Sequence, residues 1–344
     1  MSTAVKLINT TKFAEHLRAR SIDVTGRRIL ITRLAKSDQE IDLTVPTNCN
    51  GYGRIHHFRQ TTSPGWPSNP LPTVPACKAL GIYPAPDMMR VQVFQHAACA
   101  WRCWYCFVPD NLLNASPNRS NWFTSEELIE LYQNEPDHPQ ILDLSGGSPD
   151  LVPEWTPWMM RALAKAGLDR TTYLWVDNNL SAAFFSDNIS REDKYLLQTY
   201  QNYGQVCCFK GFDPRSFSFN THAAENDFLR QFKVMQGLLE VGIDLYGYVT
   251  LTSPYTDGIE AGVADFVDRL QELDENLPLR VVPLEIRSFT PVNARIDTRP
   301  DRKRSLRIQE EAVAAWISEI GRRFAPSLRS LDIASVPLTH RKRS

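Results

Sequence analysis

The sequence predicts an α/β protein built on an incomplete (β/α)6 barrel of parallel strands, with an N-terminal extension that contains some β structure. Three observations predict it. From residue 89 onward, six short apolar runs alternate with helix-like segments. Those runs fall two short of a full eight-fold barrel, which also needs ~250 residues. Lastly, the unusual polar and glycine-rich pieces stand at the ends of the runs, where parallel-sheet proteins gather their chemistry.

Residues 1–88 open with a helical stretch, "TKFAEHLRARS" (11–21), followed by "GRRILITRLA" (26–35) and "EIDLTVP" (40–46), which read as two strands. The next segment, 48–87, is rich in Pro, Gly, Ser and Thr and reads as loop. The strands of the barrel are then "MRVQVFQ" (89–95), "QILDLSG" (140–146), "TTYLWVD" (171–177), "GQVCCFKGF" (204–212), "DLYGYVTL" (244–251) and "RVVPLEI" (280–286). Between the first two, "TSEELIELYQNE" carries a capping box, Thr124 with Glu127 three residues on. "PEWTPWMMRALAKAGL" (153–168) has an early Pro and a late Gly, the punctuation of a helix. Segments 191–204, 223–242 and 262–273 place apolar residues three and four apart, and 305–324 is a last amphipathic helix. The divisions expected are 1–88, an extension facing the substrate; 89–292, the partial barrel; and 293–344, a C-terminal helix and basic tail.

Composition narrows the function. The 344 residues are 42% hydrophobic and 22% charged, a globular balance, and the net charge of −1 argues against a mainly electrostatic nucleic-acid binder. The basic runs "RPDRKRSLR" and "THRKRS" read as solvated surface. No run reaches the ~18 apolar residues of a membrane span, and the N-terminus lacks the apolar centre of a secretory signal. A cytoplasmic location is expected, where thiols stay reduced. There the odd total of seven cysteines points to metal ligands or catalytic groups before disulfides.

Three of the seven, Cys99, Cys103 and Cys106, lie within "FQHAACAWRCWYCFVPDNLL" (94–113) in a C-x₃-C-x₂-C pattern. A [4Fe–4S] cluster held by only three thiolates keeps one iron open, the arrangement that separates catalytic from structural metal sites. The alternative is a non-catalytic zinc scaffold, in which His96 completes a Cys₃His tetrahedron. With Tyr105 just before the last cysteine, the pattern resembles the signature of the radical SAM superfamily. That resemblance implies a [4Fe–4S] cluster on Cys99, Cys103 and Cys106. Its open iron chelates S-adenosylmethionine, which is cleaved reductively to methionine and a 5′-deoxyadenosyl radical that takes hydrogen from a substrate. It also implies an electron donor such as flavodoxin or ferredoxin.

Further along, "DLSGGSPDL" is similar to the family's "GGEP" motif. Ser145, Gly146, Gly147 and Ser148 would then meet the cofactor's methionyl ammonium, with Ser148 standing where the motif has Glu. "LWVDNNL" resembles the "TNG" strand ending of activating enzymes, so Asp177, Asn178 and Asn179 would reach the cofactor, against the plainer reading of an Asx turn. "FKGFDP" resembles the "D-x-K" stretch of the same group, with Lys210 as the lysine and Cys208 in place of the acid. The core is thus most like the activating-enzyme-like group, without a cysteine-rich C-terminal auxiliary-cluster domain. The resemblance leaves the substrate open: a partner protein made into a glycyl radical, a small molecule, a peptide or, less favoured, RNA. Cys49, Cys77 and the Cys207–Cys208 pair read as buried structural residues. Thr250, Thr252, Glu285 and Arg287 stand at the last two strand ends, with an ordinary Glu285–Arg287 salt bridge as the plain reading of the pair. "GYGRIHHFRQ" (51–60), with Arg54, His56, His57 and Arg59, would meet an anionic substrate or RNA, or else be a solvated loop or edge strand.

Overall fold

A computed structural model describes residues 7–339. The basic run at 340–344 and the first six residues of the N-terminal reading lie outside them. In chain order the strands are β1 (Ile22–Asp23), β2 (Arg28–Thr32), β3 (Gly53–Arg59), β4 (Met88–Gln95), β5 (Ser120–Thr124), β6 (Ile141–Ser145), β7 (Tyr173–Asn178), β8 (Tyr203–Phe209), β9 (Leu245–Thr250) and β10 (Val281–Leu284). The helices are α1 (Thr10–Ser21), α2 (Thr73–Leu80), α3 (Ser125–Gln133), α4 (Trp155–Lys165), α5 (Phe184–Asn188), α6 (Arg191–Thr199), α7 (Pro214–Thr221), α8 (Phe228–Val241), α9 (Ile259–Leu273), α10 (Thr290–Asp297), α11 (Pro300–Arg323) and α12 (Pro326–Arg329).

Seven strands form a curled, mostly parallel sheet, a half-barrel in the order β10-β9-β8-β7-β6-β4-β3. Pairing is parallel from β4 to β10, and only β3 runs antiparallel, beside β4. A second sheet, β1-β2-β5, is antiparallel.

Two readings of the N-terminal segment are corrected. "EIDLTVP" forms no strand: Asp38–Asp42 is a 3₁₀ turn. Glu40 holds that turn by accepting from the Lys36 N–H at 2.7 Å and from the Thr47 hydroxyl at 3.0 Å. Those local bonds outcompete strand pairing for a segment that ends in Pro46, which has no N–H to donate. Segment 48–87 is likewise not all loop, since it contains β3 and α2. Its prolines mask both elements from a pattern reading, yet Pro75 sits early in α2, where a missing N–H costs nothing.

Alternation along the strands separates two faces. Leu142, Leu144, Leu174, Val176, Cys207, Phe209, Leu245 and Val249 join the large core under the helices. Val91, Val93, Tyr173, Trp175, Val206, Tyr246, Tyr248 and Val282 face the concave side, where Leu71 and Ala76 from the N-terminal segment and Ile333 near the C-terminus cover them. Among the described residues no helix is long and apolar enough to cross a membrane.

Phe266 of α9 is fully buried, with ring centroids 5.3 Å from Phe209, 5.7 Å from Phe232 and 6.2 Å from Trp316. It therefore ties β8, α8, α9 and α11 together. Phe266→Ala should cost about 3–5 kcal/mol in urea unfolding through lost burial and the cavity left behind. A loss below 1 kcal/mol would mean that this helix layer is not one core.

Candidate active site

The cysteine-bearing loop leaves β4 and is fixed at its base by backbone bonds, Ala97 N–H to Leu30 O at 3.0 Å, Cys99 N–H to Leu113 O at 3.0 Å and Ala115 N–H to Ala97 O at 2.8 Å. Its aromatic residues then tie it to the far strand ends. The Trp101 indole donates to Asn179 O (2.8 Å), and the Trp104 indole donates to Asn220 Oδ1 (3.1 Å). The Tyr105 hydroxyl pairs with Thr250 Oγ1 (3.0 Å). Asn220, on α7, donates in turn to Lys210 O (2.9 Å) and Thr252 O (3.1 Å). The loop therefore lies over the carboxyl ends of β7, β8 and β9. Indole and phenol groups suit this work because they bury a large apolar body and offer one polar atom.

Cys99 is buried, and Cys103 and Cys106 are partly buried; none is in a disulfide. Burial pushes all three thiols up, Cys103 to about 12 and Cys106 to about 11, with neighbouring thiols adding to the rise at Cys103 and Cys106. Lys210, half-buried, lies nearby. Burial alone would lower its pKa, but Cys208, Cys103, Cys99 and Cys106 around it outweigh that and carry it upward. Such a site keeps its thiols protonated until a cation replaces the protons. Arg102 donates to Cys99 O (2.6 Å) and Arg295 to Cys106 O (2.7 Å), so both ends of the cysteine run are held by guanidinium groups.

The donor set can be tested against the two metals considered. A single zinc needs its sulfurs ~3.8 Å apart, given Zn–S of ~2.3 Å. Among the described residues no three His, Cys, Asp or Glu side chains gather closely enough to hold one ion. His96 does not turn toward the thiols: its Nδ1 lies 3.0 Å from Ser148 O and its ring packs toward Trp155. The three thiols, near enough for Cys99 and Cys106 to act on Cys103, are a soft donor set of the kind that a [4Fe–4S] cluster takes, one thiolate to each of three irons.

The turn after β6 is built around its glycines. Gly146 and Gly147 both have left-handed φ, +59° and +58°. A Cβ on Gly147 would meet His96 O at 2.3 Å and Ala98 O at 2.4 Å. Its bareness thus lets the turn nest against the cysteine loop itself, a role that the sequence reading did not foresee. Ser148 N–H donates to Ala98 O at 2.6 Å and its hydroxyl lies 3.1 Å from Cys99 Sγ. Asn179 Nδ2 donates to Gly147 O at 2.5 Å.

The remaining predicted residues divide by face. Ser145 and Asp177 meet on the concave side, the serine hydroxyl donating to Asp177 Oδ2. Burial raises the Asp177 pKa. Asn178 goes the other way. Its Oδ1 accepts from Leu180 N–H (2.8 Å), an Asx turn, on the helix side of the sheet, so it does not join the others. Cys208 and Lys210 face inward while Cys207 faces the helices. Glu285 and Arg287 form the expected ordinary salt bridge, 2.6 Å. Sequence reasoning missed Asn220, Arg102, Arg295 and Asp143, whose spacing from the cysteines carries no signal.

No family model matches the sequence, and no curated protein matches it. Several solved structures do. SuiB of Streptococcus suis bound to S-adenosylmethionine is 16% identical over 53% of this chain and 37% of that one, with a TM-score of 0.37. SuiB bound to its precursor peptide SuiA gives 14%, 52%, 36% and 0.35, and a further SuiB structure gives 16%, 53%, 36% and 0.34. The chain spans little more than a third of the length of these neighbours.

Gly147→Ala should destabilise the protein by several kcal/mol in chemical denaturation, because backbone carbonyls block the new methyl. Gly321→Ala, with open space around it, should cost nothing. Equal effects would refute the nesting. A second outcome concerns acid. Burial holds His96 down at about 4 and His56 at about 3, against 6.5 when unfolded. Both stay neutral in the folded state while the unfolded chain takes up protons. Stability should therefore be full above pH 6.5 and fall as the pH drops toward 4, by about 3 kcal/mol for His96. His96→Gln should flatten that decline, and an unchanged pH profile would remove His96 as its source.

Proposed function

We propose that the chain is a radical SAM enzyme with one [4Fe–4S] cluster, held by Cys99, Cys103 and Cys106, beside an S-adenosylmethionine at the rim of the concave face. The observation that carries this reading is the thiol arrangement: three unpaired cysteines on one loop, Cys99 buried and Cys103 and Cys106 partly buried, above the carboxyl ends of parallel strands. When bound, the cluster supplies the electron that splits the sulfonium, leaving methionine and a 5′-deoxyadenosyl radical to abstract hydrogen from a substrate.

The chain's own residues bind, orient and exclude water. The main-chain carbonyl oxygens of the turn at Gly146, Gly147 and Ser148 are the acceptors for the methionyl ammonium, and Ser145 with Asp177 gives further acceptors beside it. Lys210, half-buried and surrounded by thiols, is the cation for the cofactor carboxylate and eases loss of protons from the three cysteines. Trp101, Trp104 and Tyr105 close the loop against solvent, which protects a radical from quenching. Asn178 belongs to the turn that aims Asp177.

In this reading residues 1–88 supply the substrate side through β3, residues 89–292 are the radical SAM core, and the C-terminal segment from 293, over its described residues to 339, braces it. Seven unpaired cysteines suit a reducing compartment such as the cytoplasm, with flavodoxin or ferredoxin as electron donor. "KGFDP" favours activation of a partner protein, while Cys208 in the acid's place favours modification of a small molecule or peptide.

Protein purified without oxygen should carry about four irons and four sulfides per chain and form 5′-deoxyadenosine from S-adenosylmethionine with dithionite. Cys103→Ala should lose the cluster and the product together. About one zinc per chain with no sulfide would overturn the proposal in favour of the zinc scaffold.

A further inference from the structure

One buried charged group on the concave face has no role in the site described. Arg54, the second residue of β3, is almost wholly buried. Its Nη1 donates to His56 Nδ1 at 3.0 Å and its guanidinium lies 5.2 Å from the centroid of Phe107, next to Cys106. Its Nε has no partner. Across the sheet, Arg54 pairs in register with Val93, and Val93 with Asp143. Asp143 is also buried, and its Oδ1 has no partner.

The two side chains thus stand on the same face, two strand spacings apart, about 9–10 Å between their Cα atoms. They feel each other electrostatically, yet among the described residues no ion pair within 4.0 Å joins them. A buried guanidinium and a buried carboxyl each lose several kcal/mol of hydration, and folded proteins seldom leave such groups unanswered. Asp143 lies one inward-facing position below Ser145 on β6, so the pair sits a layer deeper than the residues assigned to the cofactor.

We propose that Arg54 and Asp143 form a recognition subsite for an α-amino-acid head group: Arg54 takes the carboxylate and Asp143 takes the ammonium. The guanidinium fork matches a carboxylate in two parallel bonds, and His56 and Phe107 hold its plane. Burial and the neighbouring Asp177 raise the Asp143 pKa, a tension that an ammonium seated beside the carboxyl would offset. The subsite stands on geometry of its own. That its occupant is the substrate rests on the radical SAM reading.

Isothermal titration calorimetry tests it on the full chain purified without oxygen, using the twenty free proteinogenic amino acids as probes. At least one should bind saturably, and its decarboxylated amine and its α-hydroxy-acid analogue should each bind at least tenfold more weakly. Arg54→Gln should weaken the amino acid at least tenfold while leaving the amine analogue unchanged. Asp143→Asn should erase the preference for the amino acid over the hydroxy acid. Because each variant is judged against two ligands, a general folding defect, which weakens both alike, reads as failure. No binding by any amino acid, or equal losses for acid and amine in Arg54→Gln, would overturn the proposal. Binding by a chain that contains no iron or sulfide would instead fault the cofactor assignment alone.

Discussion

The hydrogen bonds that span the strand ends are the constraint on which the rest of this structure depends. A loop of a dozen residues with three thiols has little reason to keep one shape, since its backbone groups would prefer water. Here Trp101, Trp104 and Tyr105 each place one polar atom on a different strand end or on Asn220, and Asn220 bonds two strand ends itself. Each such bond contributes only about 1 kcal/mol net, but together they fix sulfurs to a rigid sheet rather than to a mobile segment. Preorganisation of that kind is what a metal-binding or reactive constellation requires.

The sheet turns this anchoring into a site through its two-residue period. Asp143 and Ser145, Asp177, Cys208 and Lys210, and Tyr248 and Thr250 all share the concave face, while their neighbours Leu144, Val176, Cys207 and Val249 enter the helix-side core. Polar residues gather toward the rim, and apolar ones such as Val91, Tyr173 and Trp175 fill the deeper layer. Burial then acts on every ionisable group in the same sense. It disfavours charge on the thiols and carboxyls, and Lys210 and Arg54 are the cations that oppose this. A ligand that brings its own charge would relieve that tension.

The glycine turn after β6 shows how a motif can carry more than one demand. Only a residue without Cβ fits at Gly147 beside the His96 and Ala98 carbonyls, so that bareness locks the turn to the cysteine loop. Ser148 extends that lock through its N–H to Ala98 and its hydroxyl to Cys99. With a long acid at this position, the contact to the sulfur would have to be made differently.

The sequence by itself determined the parallel strands from 89 onward, the helices between them apart from α5 and α7, and the position of the cysteines at a strand end. Those features rest on local periodicity and punctuation, which neighbouring residues decide. It did not determine that "EIDLTVP" would curl into a 3₁₀ turn, nor that β3 and α2 lie within a proline-rich stretch, because side-chain bonds and sheet pairing override weak local preference. The faces of the strands were legible in principle from alternation, but the turning of Asn178 away from Asp177 depended on where β7 ends. Asn220, Arg295 and the Arg54–Asp143 pair belong to tertiary structure alone. Trp104 and Asn220, 116 apart in sequence, meet only in the tertiary fold, and Arg54 and Asp143, 89 apart, share a face only because β3, β4 and β6 lie side by side; no local pattern encodes a distance measured through space.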